Sequence, residues 1–369
     1  MLTVTKIHQC SDQFVLENGQ VLKSPEVAYV EFGQAENPVI YIAHGGMSSH
    51  LAAGQLDDKP ASVGWWNGLI GDGKAFDTRY FRVICANSLG SNFGTASPRS
   101  INLDNGRRYG KDFPEISIRD MTNFIRFFLE DMGVRHISCM AGPSMGSLQT
   151  LQMAAIHPDF VDSIVAVATA GRTTPMALAA HHFMISQITG DSEFRQTENY
   201  FKKPIKAFDS ICQFSRIFYA HEKSLMKTCW DTVADGVYAQ SQRSERVEAA
   251  LNDRCFAKLK DWDPDCLLTV LRAINTHDLT DETGSYGSGA QRISCPTLLM
   301  NFDTDQEFSP QWAVELSQTI NGGNRKLARA RTLTSDWGHL GCITEVAQLE
   351  REIREFLTVS GIDGKAINQ

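Results

Sequence analysis

The 369-residue sequence has no long apolar run and no block of like charge. No stretch approaches the roughly 20 apolar residues of a membrane-spanning helix, and the first ten residues lack the apolar segment of a signal peptide. The net charge is −8, with Lys and Arg spread along the chain, whereas nucleic-acid binding requires clustered positive charge. These absences argue against nucleic-acid and membrane partners, and we expect the protein in the cytoplasm.

Paired cysteine spacing is also missing. The chain has nine cysteines, and none of them belongs to a Cys-x-x-Cys pair. The sequence therefore gives no support for a zinc or redox site of that type, and reduced thiols are expected. His181 and His182 do not change this, because adjacent positions on a helix point in different directions and cannot easily share one ion. We expect no bound metal and no bound cofactor.

Short apolar runs alternate with helical patterns through most of the chain, which is typical of βαβ units around a parallel sheet. Strands are predicted at 38–43, 80–86, 136–141, 163–170, 295–302 and, more weakly, 326–334. Helices are predicted at 118–132, 145–156 and 344–357. Between 171 and 288 the pattern is helical without a clear strand. We therefore predict a core domain formed by 1–170 and 289–369, with a helical lid inserted at 171–288.

The strand predicted at 136–141 leads into Gly142-Pro143-Ser144-Met145-Gly146, which has the Gly-x-Ser-x-Gly form. This spacing suits a serine at a sharp turn from a strand into a helix, where small residues two places away relieve crowding. Because a strand precedes the motif and a helix follows it, we interpret Ser144 as the nucleophile of a serine enzyme. The pattern predicts an α/β-hydrolase fold, with a mostly parallel sheet flanked by helices.

A serine hydroxyl needs a histidine as base, and the base needs a carboxylate that orients it. In this fold the chain order is serine, then Asp or Glu, then histidine. His339 is the only histidine after His277 and precedes the last predicted helix, so it is the candidate base. The acid should follow the next-to-last predicted strand, where Asp303 and Asp305 are both candidates and Glu307 lies close by.

The negative oxygen that develops during acyl transfer needs backbone N–H donors, which together form an oxyanion hole. One donor is expected to be Met145, directly after the nucleophile. The other should come from the loop His44-Gly45-Gly46-Met47, since paired glycines let the backbone approach the substrate closely. Gly46 is the first choice for this second donor, and Met47 is the next.

Several longer segments make the sequence resemble the homoserine O-acetyltransferase family over nearly its whole length. They are Gly64-Trp65-Trp66-Asn67-Gly68-Leu69-Ile70-Gly71, Gly73-Lys74-Ala75-Phe76-Asp77-Thr78, Asn87-Ser88-Leu89-Gly90-Ser91, Asp112-Phe113-Pro114, Ile118-Arg119-Asp120-Met121, and Ser144-Met145-Gly146 with Gln149. The aspartate of this family is followed closely by an aromatic residue and a proline. Because Asp305 is followed by Phe308 and Pro310, the resemblance favours it as the acid.

Three positions depart from the family pattern. Members that use homoserine typically carry Asp directly after the catalytic histidine, where it holds the substrate ammonium, and here that position is Leu340. Arg216 matches the family's arginine near the substrate carboxylate, but the tyrosine expected seven residues later is Lys223. The loop at His44 is also shorter. Since a buried ammonium without a partner is costly, Leu340 argues against homoserine as the acceptor.

The resemblance implies an acyl-CoA-dependent O-acyltransferase that works in two steps. Acyl-CoA, expected to be acetyl-CoA, acylates the serine and CoA leaves; the acceptor, a small amino acid or hydroxy acid, then takes the acyl group through its hydroxyl. The alternative is a serine esterase, in which water accepts the acyl group, and a third hypothesis is a non-catalytic scaffold used for binding. The resemblance also implies a homodimer formed through the lid.

Overall fold

A computed structural model describes residues 3–56, 63–196, 206–230, 261–280 and 283–362, with isolated residues between 245 and 251. Its main sheet consists of β1 (Lys6–Gln9), β2 (Glu26–Phe32), β3 (Val39–Ile42), β4 (Arg82–Ala86), β5 (Cys139–Pro143), β6 (Ile164–Val167), β7 (Thr297–Phe302) and β8 (Ala328–Leu333). The spatial order is β1-β2-β4-β3-β5-β6-β7-β8. Strand β2 runs antiparallel to both neighbours, and the pairs from β4 to β8 are parallel.

Burial on both faces explains the composition of the central strands. Every residue of β3, β5, β6 and β7 is buried, as expected for parallel strands covered by helices on both sides. The six strands predicted from apolar runs overlap β3 to β8. Strands β1 and β2 were not predicted. For β1 the reason is that it is mostly exposed at the edge of the sheet and lacks an apolar run.

Ten α-helices lie within the described residues. Their bounds are α1 (Ile118–Asp131), α2 (Met145–Ile156), α3 (Pro175–Gly190), α4 (Ala207–Phe218), α5 (Glu222–Trp230), α6 (Pro264–Asn275), α7 (Tyr286–Gln291), α8 (Pro310–Ile320), α9 (Gly341–Thr344) and α10 (Val346–Val359). Ser117 and Asp120 form a capping box at the start of α1, each accepting the other's backbone N–H at 2.9 Å. Helix α2 packs on β5 and β6, directly behind the predicted nucleophile.

Between β6 and β7 the described part of the chain forms the helices α3 to α7 and no strand of the sheet. Helix α3 packs against both α4 and α6. Residues 197–205, 231–244 and 252–260 of the predicted lid lie outside the described residues. The domain boundaries at 171 and 288, and a dimer formed through the lid, stay predictions.

The sequence lacks a long apolar run and paired cysteine spacing, and two features of the described residues relate to these absences. No helix among them is long and apolar enough to cross a membrane. The cysteines whose side chains the structure describes are buried and form no disulfide with one another, and they are Cys10, Cys85, Cys139, Cys212, Cys266, Cys295 and Cys342. They pack as small apolar side chains, as the scattered spacing indicated.

Candidate active site

The Gly-x-Ser-x-Gly segment forms a sharp turn between β5 and α2. Ser144 has a φ of 54° and a ψ of −126°, a strained conformation for a residue with a side chain, and α2 begins at the next residue. A Cβ atom on Gly142 would lie 2.5 Å from the carbonyl oxygen of Ala43, and one on Gly146 would lie 2.1 Å from the same oxygen. The two glycines are therefore required because β3 passes directly beside the turn.

Replacing Gly146 by alanine is expected to lower the free energy of unfolding by about 1–3 kcal/mol, because the added methyl group overlaps a buried carbonyl. Urea denaturation followed by circular dichroism measures the change. Gly190→Ala is the matched control, since nothing lies within 4 Å of its added Cβ at the end of α3. Equal stability of the two variants would show that the turn relaxes around the methyl group.

Three side chains from distant parts of the sequence form a hydrogen-bonded chain at this turn. The Ser144 Oγ lies 3.0 Å from His339 Nε2, and His339 Nδ1 lies 2.8 Å from Asp305 Oδ2. With the proton on Nδ1, the imidazole donates to the carboxylate and accepts from the serine hydroxyl. The other carboxylate oxygen of Asp305 accepts the backbone N–H groups of Glu307 at 2.8 Å and Phe308 at 3.0 Å, which fixes its orientation.

The other acidic residues near His339 in sequence have different partners. Asp303 accepts a backbone N–H from the loop that precedes His339, at 2.9 Å. Asp336 forms ion pairs with Lys223 at 3.2 Å and Lys227 at 2.8 Å. Of the two candidates that strand-end spacing left open, Asp305 is thus the one whose side chain contacts the imidazole.

Two carboxylates face the imidazole of His339. Burial alone would lower the pKa of His339, but Asp305 and Glu307 both favour the protonated ring and raise its pKa to about 9. The pKa of Glu307 is raised to about 7, mainly by burial and also by the neighbouring Asp305, while His339 acts to lower it. The protonated imidazole is the form that a serine nucleophile creates when it attacks, so this arrangement stabilises the charge that the reaction develops.

The glycine pair of the loop after β3 lies against the nucleophile turn. A Cβ on Gly45 would be 3.7 Å from the Ser144 Cβ, and one on Gly46 would be 3.9 Å from the Met145 Cβ. Met145 is the first residue of α2, so its N–H has no partner within the helix. The structure therefore brings Gly46 and Met145, the two preferred oxyanion donors, together beside Ser144, while Met47 lines the neighbouring cavity.

A buried histidine holds this loop in place. His44 Nε2 accepts the backbone N–H of Ser88 at 2.9 Å, and its Nδ1 donates to the Gly45 carbonyl at 2.8 Å. Burial lowers the pKa of His44 to about 4, so the ring stays neutral and can accept. Gln149 of α2 donates to the Ser88 hydroxyl at 3.3 Å. The segments at 87–91 and 144–149 that carried the resemblance are thus joined directly, and Ser88 links them to the oxyanion loop.

Two adjacent tryptophans also hold segments of the site in place through hydrogen bonds. Trp65 Nε1 donates to the Ser49 carbonyl at 2.9 Å, and Trp66 Nε1 donates to the Cys342 carbonyl at 2.8 Å. Trp66 is fully buried, whereas Trp65 is half-buried and lines the cavity. The pair therefore connects the loop of the glycines with the segment that follows His339.

A cavity of about 200 Å³ opens on the Ser144 side chain. Much of its wall is apolar and is supplied by α6, through Val270, Leu271 and Ile274, together with Leu340 from the histidine loop. Among the described residues that line it, none is Arg or Lys. Arg216, the predicted carboxylate partner, is buried near the end of α4, three residues before the cavity-lining Tyr219, and is not itself one of the lining residues.

Two lining residues were not assigned a role from sequence. His181 Nδ1 lies 2.7 Å from the Asn275 Oδ1, and burial lowers the pKa of His181 to about 4. Its Nε2 is 3.7 Å from Glu307 Oε1, so the two form a polar part of the cavity wall. Glu307 was noticed only as a neighbour of Asp305. The sequence signal for it was an acidic residue two places after the predicted acid.

The strand order, the sharp turn at Ser144 and the chain order of the three hydrogen-bonded residues define an alpha/beta hydrolase fold. The family described as alpha/beta hydrolase fold matches residues 38–346. The chain is 33% identical over 362 residues to homoserine O-acetyltransferase of Moorella thermoacetica, covering 96% of both proteins. It is 32% identical over 374 residues to that of Deferribacter desulfuricans, covering 100% of this chain and 98% of the relative. The chain therefore belongs to the homoserine O-acetyltransferase-like family of alpha/beta hydrolases.

Solved structures give the same fold under two different names. Homoserine O-acetyltransferase from Bacillus anthracis superposes with a TM-score of 0.86 at 21% identity, covering 97% of this chain and 98% of that one. Esterase E22 superposes with a TM-score of 0.84 at 26% identity, covering 96% and 100% respectively. Transfer and hydrolysis of an acyl group are therefore both represented among the proteins that this chain resembles.

Proposed function

We propose that this protein is an acyltransferase that works through an acyl ester of Ser144. The observation that carries the proposal is the hydrogen-bonded chain from Ser144 through His339 to Asp305, with Gly46 and Met145 beside it. In this proposal Ser144 is the nucleophile, His339 the general base and acid, and Asp305 the group that orients the imidazole.

The reaction then has two matched halves. The Ser144 Oγ attacks the acyl carbonyl while its proton moves to His339 Nε2, and the leaving thiolate or alkoxide takes that proton as the first bond breaks. An acceptor hydroxyl next gives its proton to His339 Nε2 and attacks the ester carbonyl, and the Ser144 oxygen leaves with the proton. The backbone N–H groups of Gly46 and Met145 stabilise the negative oxygen in both halves.

The proposed donor is acyl-CoA, with acetyl-CoA as the first choice, and the proposed compartment is the cytoplasm. Support for acetyl transfer comes from relatives named homoserine O-acetyltransferase that match this chain over nearly its full length.

The acceptor we propose is a small alcohol without a carboxylate. No Arg or Lys is among the described lining residues, and an unpaired carboxylate in an apolar cavity is costly.

Hydrolysis is the second candidate, and two observations favour it. Leu340 lines the cavity at the position where homoserine-using relatives carry Asp, so one feature of homoserine recognition is missing. Esterase E22 shares 26% of its residues with this chain across nearly the whole length of both. In this alternative the same acyl-Ser144 forms, and water takes the place of the acceptor alcohol.

Incubation with acetyl-CoA, with and without a panel of alcohols, separates the two candidates. Transfer predicts acetyl-Ser144 by mass spectrometry and a release of CoA that rises when a suitable alcohol is present. Release of CoA at one rate whatever alcohol is added would favour hydrolysis. Failure of every CoA ester and simple ester to acylate Ser144 would contradict both candidates.

The rate of Ser144 acylation is expected to rise with pH up to about 9, because His339 must lose its proton before it can act as a base and nearby carboxylates hold that proton. Stopped-flow release of nitrophenol from 4-nitrophenyl acetate measures this profile. Glu307→Gln removes one of the two negative charges, which lowers the pKa of His339 and moves the rising limb to lower pH. A limb that stays in place or moves upward would show that Glu307 does not act on His339 through its charge.

A further inference from the structure

The Glu307 carboxylate is placed unusually for a buried charge. Its side chain is 3% exposed, yet it lines the cavity at Ser144. Its Oε2 lies 3.3 Å from His339 Nε2, on the side of the imidazole that also faces the Ser144 hydroxyl, and receives no hydrogen bond. The backbone of Glu307 is held on both sides, because its N–H donates to Asp305 and its carbonyl accepts from the Thr174 hydroxyl at 2.8 Å.

No permanent positive charge in the described part of the cavity balances this carboxylate. His181, its other neighbour, has its pKa lowered to about 4 by burial and is neutral. His339 must also be neutral when it acts as a base. A buried carboxylate without a cation is costly, and its raised pKa, about 7, reflects that cost. A cationic ligand would supply the missing partner.

We propose that Glu307 selects the acceptor by binding the ammonium group of an amino alcohol that carries no carboxylate. This inference rests on the proposed function, since it concerns the second half of the reaction. The attacking hydroxyl must lie beside His339 Nε2, and Glu307 Oε2 is 3.3 Å from that nitrogen. An ammonium separated from the hydroxyl by a short carbon link therefore reaches the carboxylate.

The apolar part of the cavity wall limits what else the acceptor can carry. Val270, Leu271 and Ile274 of α6, with Leu340, give the cavity apolar surfaces that suit alkyl groups. A carboxylate on the acceptor would meet these side chains and the negative charge of Glu307, without an Arg or Lys among the described lining residues. The site thus fits a positively charged alcohol and disfavours an anionic or zwitterionic one.

The leucine after the histidine therefore does not by itself exclude an ammonium from this cavity. From the sequence, a carboxylate that holds the ammonium was expected at the position of Leu340, where family members that use homoserine carry Asp. In the structure, Glu307 brings a carboxylate to the same cavity from the loop that carries Asp305. The negative charge that would hold the ammonium is therefore supplied by the loop that carries Asp305 and not by the loop that carries His339.

A competition between two acceptors of equal shape tests the proposal. The probes are 2-(dimethylamino)ethanol, which is protonated at pH 7.5, and 3-methylbutan-1-ol, which has the same branched skeleton without the charge. Both are supplied together at equal concentration with 4-nitrophenyl acetate as the acyl donor. The ratio of the two acetate esters, measured by gas chromatography with mass detection, gives the ratio of their kcat/KM values. A tertiary amine also prevents migration of the acetyl group to nitrogen.

The wild-type protein is expected to favour the charged acceptor by at least about tenfold, since the ammonium completes a buried charge pair. Glu307→Gln should bring the ratio close to one. Because both acceptors draw on the same acyl-Ser144, any effect of the substitution on acylation cancels in the ratio. Glu355→Gln is the matched control, since it makes the same chemical change at an exposed position on α10 and should keep the wild-type ratio.

Each remaining outcome has a definite meaning. A wild-type ratio at or below one would overturn the proposal, whatever the variants do. A tenfold preference that persists in Glu307→Gln would also overturn it, because another group would then hold the ammonium. Absence of acetyl-Ser144 would contradict the proposed function itself, whereas rapid acylation without a preference would contradict the role of Glu307 alone.

Discussion

Ser144→Ala is expected to abolish the acyl-enzyme and to lower the rate of ester or thioester cleavage by about 10⁶-fold, as loss of the nucleophile does in other serine enzymes. The reason is that, among the described residues, Ser144 is the one whose hydroxyl can donate to His339 Nε2, at 3.0 Å. The measurements are the initial burst of nitrophenol from 4-nitrophenyl acetate and the mass of the intact protein. Wild type should gain one acetyl group, and the variant none.

Ser186→Ala provides the control, because Ser186 is exposed on α3 and its hydroxyl bonds only within its own helix, to the Phe183 carbonyl. This variant should retain the burst and the added mass. If Ser144→Ala still acquired an acetyl group at a stoichiometric level, another side chain would be the nucleophile. The interpretation of the turn between β5 and α2 would then be wrong.

Asp305→Asn is expected to lower the acylation rate by about 10⁴-fold. An amide group in place of the carboxylate oxygen nearest His339 would favour the wrong tautomer of the imidazole and would no longer stabilise its protonated form. The pre-steady-state rate with 4-nitrophenyl acetate measures the loss. Circular dichroism and thermal unfolding show whether the variant is folded.

Asp303→Asn makes the same chemical change two residues away. Its effect on the acylation rate is expected to be smaller by about a hundredfold or more, because Asp303 is not part of the hydrogen-bonded triad. Asp303 accepts a backbone N–H at 2.9 Å, and the oxygen of an asparagine can still accept it. A larger loss in Asp303→Asn than in Asp305→Asn would reverse the assignment of the acid.

The serine and the histidine that we propose as nucleophile and base could both be located from the sequence. The Gly-x-Ser-x-Gly spacing reflects the close approach of a single carbonyl, that of Ala43, to both glycines. His339 followed from chain order, since few histidines lie near the end of the chain. Asp305 needed the resemblance, because Asp303 and Asp305 both follow β7 and only their side-chain directions distinguish them.

The lining of the cavity could not be predicted, because it depends on how distant segments pack. His181 and Glu307 are more than a hundred residues apart in the sequence and meet at 3.7 Å. Arg216, to which the resemblance pointed, is buried in α4 and is not among the lining residues. Helical periodicity indicates which face of α4 is buried, but it does not indicate whether that face meets a substrate or the protein interior.

The end of α4 is joined to both loops that carry the base and the acid. The Tyr219 carbonyl accepts the backbone N–H of Leu340 at 3.3 Å, and the Phe218 carbonyl accepts the side-chain amide of Gln306 at 2.6 Å. A Cβ on Gly338 would lie 2.9 Å from the Tyr219 carbonyl oxygen. This corner of the helical region therefore supports the loops that carry His339 and Asp305. Helix α6 supplies apolar side chains to the cavity and takes no part in these hydrogen bonds, so substitutions on α6 can change the shape of the cavity while the bonds stay intact.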